Sequence, residues 1–97
     1  MASNFSIRKR RRKNELELEL CGDFDGSSAF ELHQFLSTAL AREQRITIDT
    51  DGLSRLLAFG CEVFRKQCGI YYGSAKGLVF KGAHALSLAP EGCLIEE

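Results

Sequence analysis

Two periods of hydrophobic spacing divide this chain into strands and helices. From Glu15 to Leu20 acid and leucine alternate at every residue, the period of a strand with one face on a core. Upstream lie Phe5, Ser6 and Ile7, then a run of cations, and Lys13-Asn14 supplies a two-residue turn, so 5–22 reads as a β-hairpin. That register sets Arg12 opposite Glu15, Arg10 opposite Glu17 and Arg8 opposite Glu19 along an outer face, with Ile7 meeting Leu20 on the core side. Each opposite-charge pair contributes roughly 0.2–1 kcal/mol. Lys9 and Arg11 then fall on the inner face, where the hairpin is expected to overhang the core.

A polar turn follows, and Ser28-Ala29-Phe30-Glu31 has the form of a helix capping box. Ala29, Leu32, Phe35, Leu36, Ala39 and Leu40 keep helical spacing through about Arg42. A polar exit at 42–45 leads into the short strand Ile46-Thr47-Ile48-Asp49. Strand, helix and second strand imply a right-handed parallel crossover. After a loop at 50–56 a second helical stripe recurs through Leu57, Cys61, Phe64, Cys68, Tyr71 or Tyr72, and Ala75. Gly69 and Gly73 interrupt it at a cost of up to about 1 kcal/mol each. Lys76-Gly77 is a helix stop, and Leu78-Val79-Phe80 a further strand. Residues 83–97 are poorly patterned; 83–89 can form a short helix before Pro90 or lie on the surface. The fold class is therefore α/β: a small mixed sheet in the order β-β-α-β-α-β packed against helices. One domain spans 1–97, its core about 5–82.

Composition narrows the picture. Ninety-seven residues with 44% hydrophobic content are one small domain with a single modest core. No apolar run approaches the ~18 residues of a membrane span, and no secretory leader is present, so cytoplasmic residence without membrane insertion is expected. The 13 basic and 13 acidic residues cancel, but six of the cations lie together at 8–13. Such a run can bind nucleic acid; its pairing with the glutamates of the next strand favours a structural role instead. Cys21, Cys61, Cys68 and Cys93 have no C-x-x-C spacing and read as small buried hydrophobes. His33 and His84 stand apart from them and from each other. Neither a metal nor a cofactor is expected.

The order of elements and two stretches resemble the STAS domain, the module shared by sulfate transporters and anti-sigma factor antagonists. The first stretch, L-C-G-D-F-D-G-S-S-A-F-E-L at 20–32, is similar to the family's L-x-G-x-L-D-x-x-x-A-x-x-L. The second, I-T-I-D-T-D-G-L-S-R-L-L-A-F-G at 46–60, is similar without a gap to V-x-D-L-S-G-V-x-x-I-D-S-S-G. Asp49, Gly52, Leu53, Leu56 and Gly60 stand where that pattern has an acid, a glycine, two apolar residues and the helix-start glycine. The family's D-S-S-G, whose first serine accepts phosphate in the antagonist branch, is here Leu57-Ala58-Phe59-Gly60. Ala58 has no hydroxyl to phosphorylate.

The resemblance implies a non-enzymatic regulatory module that docks on a protein partner, an anti-sigma kinase or another switch protein. Its partner-binding residues are expected to be Asp23, Asp25, Ser27, Asp51, Ser54, Ala58, Phe59 and Val63. Asp23, Asp25, Asp49 and Asp51 each follow a strand and are expected to gather at one end of the sheet. A carboxylate cluster can hold a cation or do acid–base work, but Asp25 is better suited to shaping its turn or capping the first helix, and Asp49 to ending a strand. Ser28 is absorbed by capping, which leaves Ser54 as the hydroxyl to test for a displaced phosphosite. Phe59 has two placements open to it: exposed beside Val63 as an apolar spot, or tucked under the loop at 23–27. Two other functions remain open, a cytoplasmic STAS subunit of a lipid or anion transporter and a nucleic-acid binder using 8–13.

Overall fold

The alternating segment becomes an inner strand of the sheet, paired on both sides. The computed structural model describes residues 5–13, 15–39, 45–72, 77–90 and 93–96, the side chains of 67–72 excepted. Strand β2 (Glu15–Phe24) pairs antiparallel with β1 (Ser6–Arg12) on one side. On its other side it pairs in parallel with β3 (Arg45–Asp49) and, further along, with β4 (Leu53–Leu56). β5 (Leu78–Lys81) lies parallel to β3, and β6 (Leu94–Glu96) parallel to β5. The order across the sheet is β1-β2-β3-β5-β6, with β4 beside the end of β2. Helices α1 (Gly26–Ala39), α2 (Ala58–Tyr72) and the short α3 (Ala85–Leu88) complete the mixed α/β fold.

The leucine face of β2 is the floor of the core. Leu16, Leu18 and Leu20 are buried with Ile46 and Ile48 of β3, Leu78 and Phe80 of β5, and Leu32 and Leu36 of α1. Phe64 of α2 stands edge-on to both Phe24 and Phe80, with ring centroids 6.1 Å away in each case. Side chains of this size contribute roughly 1.5–3 kcal/mol each when fully buried. Of the expected helical stripes, Ala29, Leu32, Leu36, Ala39, Cys61 and Phe64 are buried. Phe35 is only partly so, and Leu57 is exposed because it precedes α2 instead of lying on its inner face.

The hairpin register is as the sequence predicts, from Arg12 opposite Glu15 to Ile7 opposite Leu20. The glutamate face differs from expectation. Glu17 is not on an exposed outer face; its side chain keeps only 7% of its accessibility, covered by the arms of Arg12 and Lys81. Lys81 Nζ binds it at 2.8 Å and Arg12 approaches at 3.6 Å, so the carboxylate ties β2 to β1 and β5. Glu15 accepts a 2.6 Å hydrogen bond from the Thr47 hydroxyl. The inner-face cation Lys9 is accommodated by the Phe35 ring, whose centroid is 5.6 Å from Nζ.

Three further differences have local causes. The stretch 50–56 is not all loop: after the kink at Thr50-Asp51-Gly52 the chain rejoins β2 as β4, and the β2 ladder shifts register between Gly22 and Asp23. The tail contains α3 and a three-residue edge strand, β6. Helix α1 starts one turn before Ser28, with Asp25 as its cap. The Ser28 N–H donates to Asp25 Oδ1 at 2.9 Å, and the Ala29 N–H to the Asp25 carbonyl at 3.0 Å. Ser28 is fully buried in the first turn, its hydroxyl shared between the Asp23 carbonyl and Asp25 Oδ1. Cys61 is buried as expected, whereas Cys21 and Cys93 are half-buried. The readings for Asn14, Leu40, 41–44, Ala75 and Lys76, and those for the side chains of Cys68, Tyr71 and Tyr72 and for Gly69 and Gly73, fall outside what the structure describes. No described helix is long and apolar enough to cross a membrane.

The Glu17 network sets a pH signature. Lys81 and Arg12 hold the Glu17 carboxyl below its ordinary pKa, against the opposing effect of burial, and Glu17 in turn raises Lys81. The glutamate contribution is complete above the ordinary glutamate range and is lost as pH falls through its lowered folded value. The lysine contribution is complete below the ordinary lysine range and is lost as pH rises through its raised value. Replacing Glu17 with Ala is expected to lower stability by roughly 1–3 kcal/mol at neutral pH and to flatten the loss on acidification, read from urea unfolding across pH. An acid limb unchanged in Glu17→Ala would contradict this.

Candidate functional site

Both long helices begin at the same corner of the molecule, because each follows a strand that runs parallel to the other. β2 ends at Phe24 and α1 starts at Gly26; β4 ends at Leu56 and α2 starts at Ala58. The two connections are stitched together by the Leu57 N–H, which donates to the Phe24 carbonyl at 3.0 Å. Gly60 brings them closer still. A Cβ at this position would stand 2.6 Å from the Asp25 carbonyl carbon and 2.8 Å from its Cα. Backbone cannot swing aside as a side chain can, so α2 lies against Asp25 only because residue 60 has no side chain.

This contact decides where Phe59 goes. The ring rests on Gly26, whose notional Cβ would lie 3.0 Å from Phe59 Cε2, and 70% of the residue stays exposed. Of its two placements, the exposed one describes the structure, with one ring edge over the start of α1 and not under the loop. Val63, one turn on, is half-buried and packs against the core instead of extending the spot outward. Phe30, one turn beyond Gly26 on α1, is 55% exposed. Leu57 and Ala58 are exposed beside Phe59. Phe30 lies off the buried stripe of its helix; its value to the site depends on Gly26 and Phe59 meeting across two helices, which spacing along the chain does not reveal.

The polar residues separate into those that build the corner and those that do not. Asp25 caps α1, and the hydrogen bonds from Ser28 lower its carboxyl below the ordinary aspartate value. Asp23 stands opposite Arg55 of β4 in the ladder. Ser27 and Ser54 are exposed. Asp49 Oδ1 accepts the Asp51 N–H at 3.0 Å, which engages it in the turn after β3, and Asp51 Oδ1 accepts the Ala83 N–H at 2.7 Å, which commits it to the turn between β5 and α3. The expected gathering of four aspartates therefore does not form a site: Asp25, Asp49 and Asp51 serve backbone amides. Among the described residues no group of three His, Cys, Asp or Glu side chains converges to hold a metal.

Two features escape the sequence reading. Thr50 is fully buried, donating to the Lys81 carbonyl at 2.9 Å and accepting the His84 N–H at 3.0 Å. Gly82, at φ +103°, passes so close that its Cβ would stand 2.7 Å from the Thr50 hydroxyl. The second feature is an open groove of about 510 Å³ between α2 and α3, lined by Leu56, Ala58, Cys61, Arg65, Leu86 and Ser87 among others. Burial raises the Cys61 thiol at its floor, which keeps it protonated and unreactive. The groove depends on α3, the short helix that is one of the two readings of 83–89, and on its packing against α2, which sequence does not give.

The corner has a test in its two glycines. Gly60→Ala is expected to cost roughly 1–3 kcal/mol or more, since the new methyl meets backbone. Gly26→Ala meets only the exposed Phe59 ring and is expected to be close to neutral. Denaturant midpoints of the two variants measure the difference; equal midpoints would rule out the Gly60–Asp25 contact.

Comparison with known proteins agrees with this architecture. No protein-family profile and no curated protein matches the sequence. Among solved structures the chain is similar to an uncharacterized protein of the DUF3478 family with a SpoIIAA-like fold from Shewanella loihica PV-4. Identity to it is 20% and the TM-score 0.62, with 100% of this chain and 91% of that one covered. It is also similar to the anti-sigma factor antagonist SpoIIAA in its unphosphorylated form, at 13% identity and a TM-score of 0.61, covering 97% of this chain and 88% of that one. The chain has a SpoIIAA-like fold, the STAS-type architecture that its two sequence stretches resemble.

Proposed function

We propose that the chain is a non-enzymatic, cytoplasmic regulatory module that docks on a protein partner through the corner where α1 and α2 begin. The observation that carries this is Phe59, an aromatic residue held 70% exposed on a glycine platform at the helix start. Exposed aromatic residues on rigid supports are the usual anchors of protein interfaces. Phe30, Leu57 and Ala58 extend the apolar surface around it. Asp23, Ser27 and Ser54 form the polar surround, and Asp25 holds the platform in shape. Asp51 and Val63 support the corner from behind, through the β5–α3 turn and the core respectively.

The resemblance to the antagonist branch gives the class of partner, an anti-sigma kinase-like or other switch protein. The difference from that branch gives the mode of control. With Ala58 where the phosphoacceptor serine would stand, docking is not switched by phosphate at that position and is constitutive or governed by another input. No observation favours catalysis: the carboxylates at this end are engaged by backbone amides, and the Cys61 thiol is pushed away from ionisation.

Affinity capture with the wild-type chain and Phe59→Asp tests the reading. The partner retained by wild type is expected to bind the variant at least tenfold more weakly, the range of a central aromatic anchor, while its unfolding midpoint stays close to wild type. An identical partner set at equal affinity would count against the proposal. So would a phosphopeptide containing Ser54 after incubation with kinase and nucleoside triphosphate, since it would restore a phosphate switch next to the corner. Asp25→Ala is a poorer probe, because it also removes the cap of α1.

A further inference from the structure

The basic run of β1 is a motif that the docking corner leaves unused. β1 is the outer strand of the sheet: β2 pairs with one of its sides, and no described strand lies against the other. A free edge of this kind presents alternate backbone N–H and C=O groups to any strand that can lie beside it. Six of its seven residues are exposed, and Arg8, Lys9, Arg10, Arg11 and Arg12 follow without interruption.

Charge decides which strand fits. A second copy pairing β1 with β1 would set cation against cation along most of the ladder, which is destabilising. The chain itself displays the complementary pattern. On the paired side Arg8, Arg10 and Arg12 face Glu19, Glu17 and Glu15, while Ile7, Lys9 and Arg11 face Leu20, Leu18 and Leu16. A strand with carboxylates at every second position thus satisfies this sequence on one edge already. A nucleic acid supplies the negative charge but no peptide groups for the backbone edge. Arg12 is also engaged by Glu17 and Lys9 by the Phe35 ring.

We propose that the free edge of β1 takes up an extended acidic peptide segment of a partner, with carboxylates at alternate residues, by strand addition. The backbone of β1 supplies the hydrogen bonds. Arg8 and Arg10, on the same face as the glutamates of β2, supply the cross-strand ion pairs. This surface is separate from the Phe59 corner and stands or falls independently of it.

The test is fluorescence anisotropy on the full chain with a capped, labelled peptide of the length of β1 that alternates Glu with Thr. Four comparison probes are used: an isomer with its glutamates in one block, two versions N-methylated on alternate amides of one edge or the other, and a single-stranded DNA oligonucleotide. The alternating peptide is expected to bind, the block isomer roughly tenfold more weakly. One N-methylated version should lose binding while the other keeps it, because only one edge of the added strand faces β1. Arg8→Gln combined with Arg10→Gln should weaken the alternating peptide about tenfold. If that variant fails to fold, the N-methylated pair alone decides. Equal binding of alternating and block peptides, indifference to both N-methylations, tighter binding of the oligonucleotide, or no peptide binding would each overturn the proposal.

Discussion

Gly60 cannot carry a side chain, because the atoms that would meet it belong to the backbone of Asp25. That steric condition holds the start of α2 against the loop that starts α1, and much of the proposed docking corner follows from it. Asp25 is fixed from two directions, by its capping bonds to Ser28 and Ala29 and by the helix pressed against it. Leu57 is tied to the end of β2. With its neighbour so placed, the Phe59 ring lies against Gly26 and stays 70% exposed. The surface is therefore built before any partner arrives, which lowers the ordering cost that binding must overcome.

The rest of the molecule supports that corner through the two faces of β2. Its leucines anchor the core under the helices, and its glutamates organise cations from both neighbouring directions. Glu17 is the centre of the second arrangement, buried between Arg12 of β1 and Lys81 of β5. An ion pair this enclosed carries a desolvation cost that offsets much of its attraction. What it supplies is register: β1, β2 and β5 cannot slip by one residue without leaving a buried charge unpaired.

The hairpin was legible in the sequence because two independent patterns, alternating leucines and alternating charges, agree on one register. The first helix and the strand after it were legible for a similar reason, since helical and β-branched periods change abruptly between them. β4 and β6 were not, because four and three residues are too few to show alternation and both depend on a neighbouring strand to define them. Two caps for α1 were legible, the Ser28–Glu31 box and Asp25; the structure uses Asp25, because the helix begins at Gly26 where it meets α2. In the corner itself Asp25 was accessible from the first stretch, and Ala58 and Phe59 from the spacing of the second. Phe30 was not, since its place one turn beyond Gly26 matters only once Gly26 and Phe59 meet across two helices far apart in the chain. Asp51 and Val63 were assigned to the surface by their neighbours in sequence, whereas tertiary contacts employ one in a turn and the other against the core.

Where the pattern that 46–60 resembles has an acid and two hydroxyls before its helix-start glycine, this chain has Leu57, Ala58 and Phe59. The chain contains no tryptophan, so Phe59→Trp places a single fluorescent reporter on the feature in question. If the corner holds this side chain out on Gly26, its emission will be that of a water-exposed indole, quenched by iodide nearly as fully as a free indole. A blue-shifted emission shielded from iodide would show the ring tucked beneath the loop and would contradict a preformed docking surface.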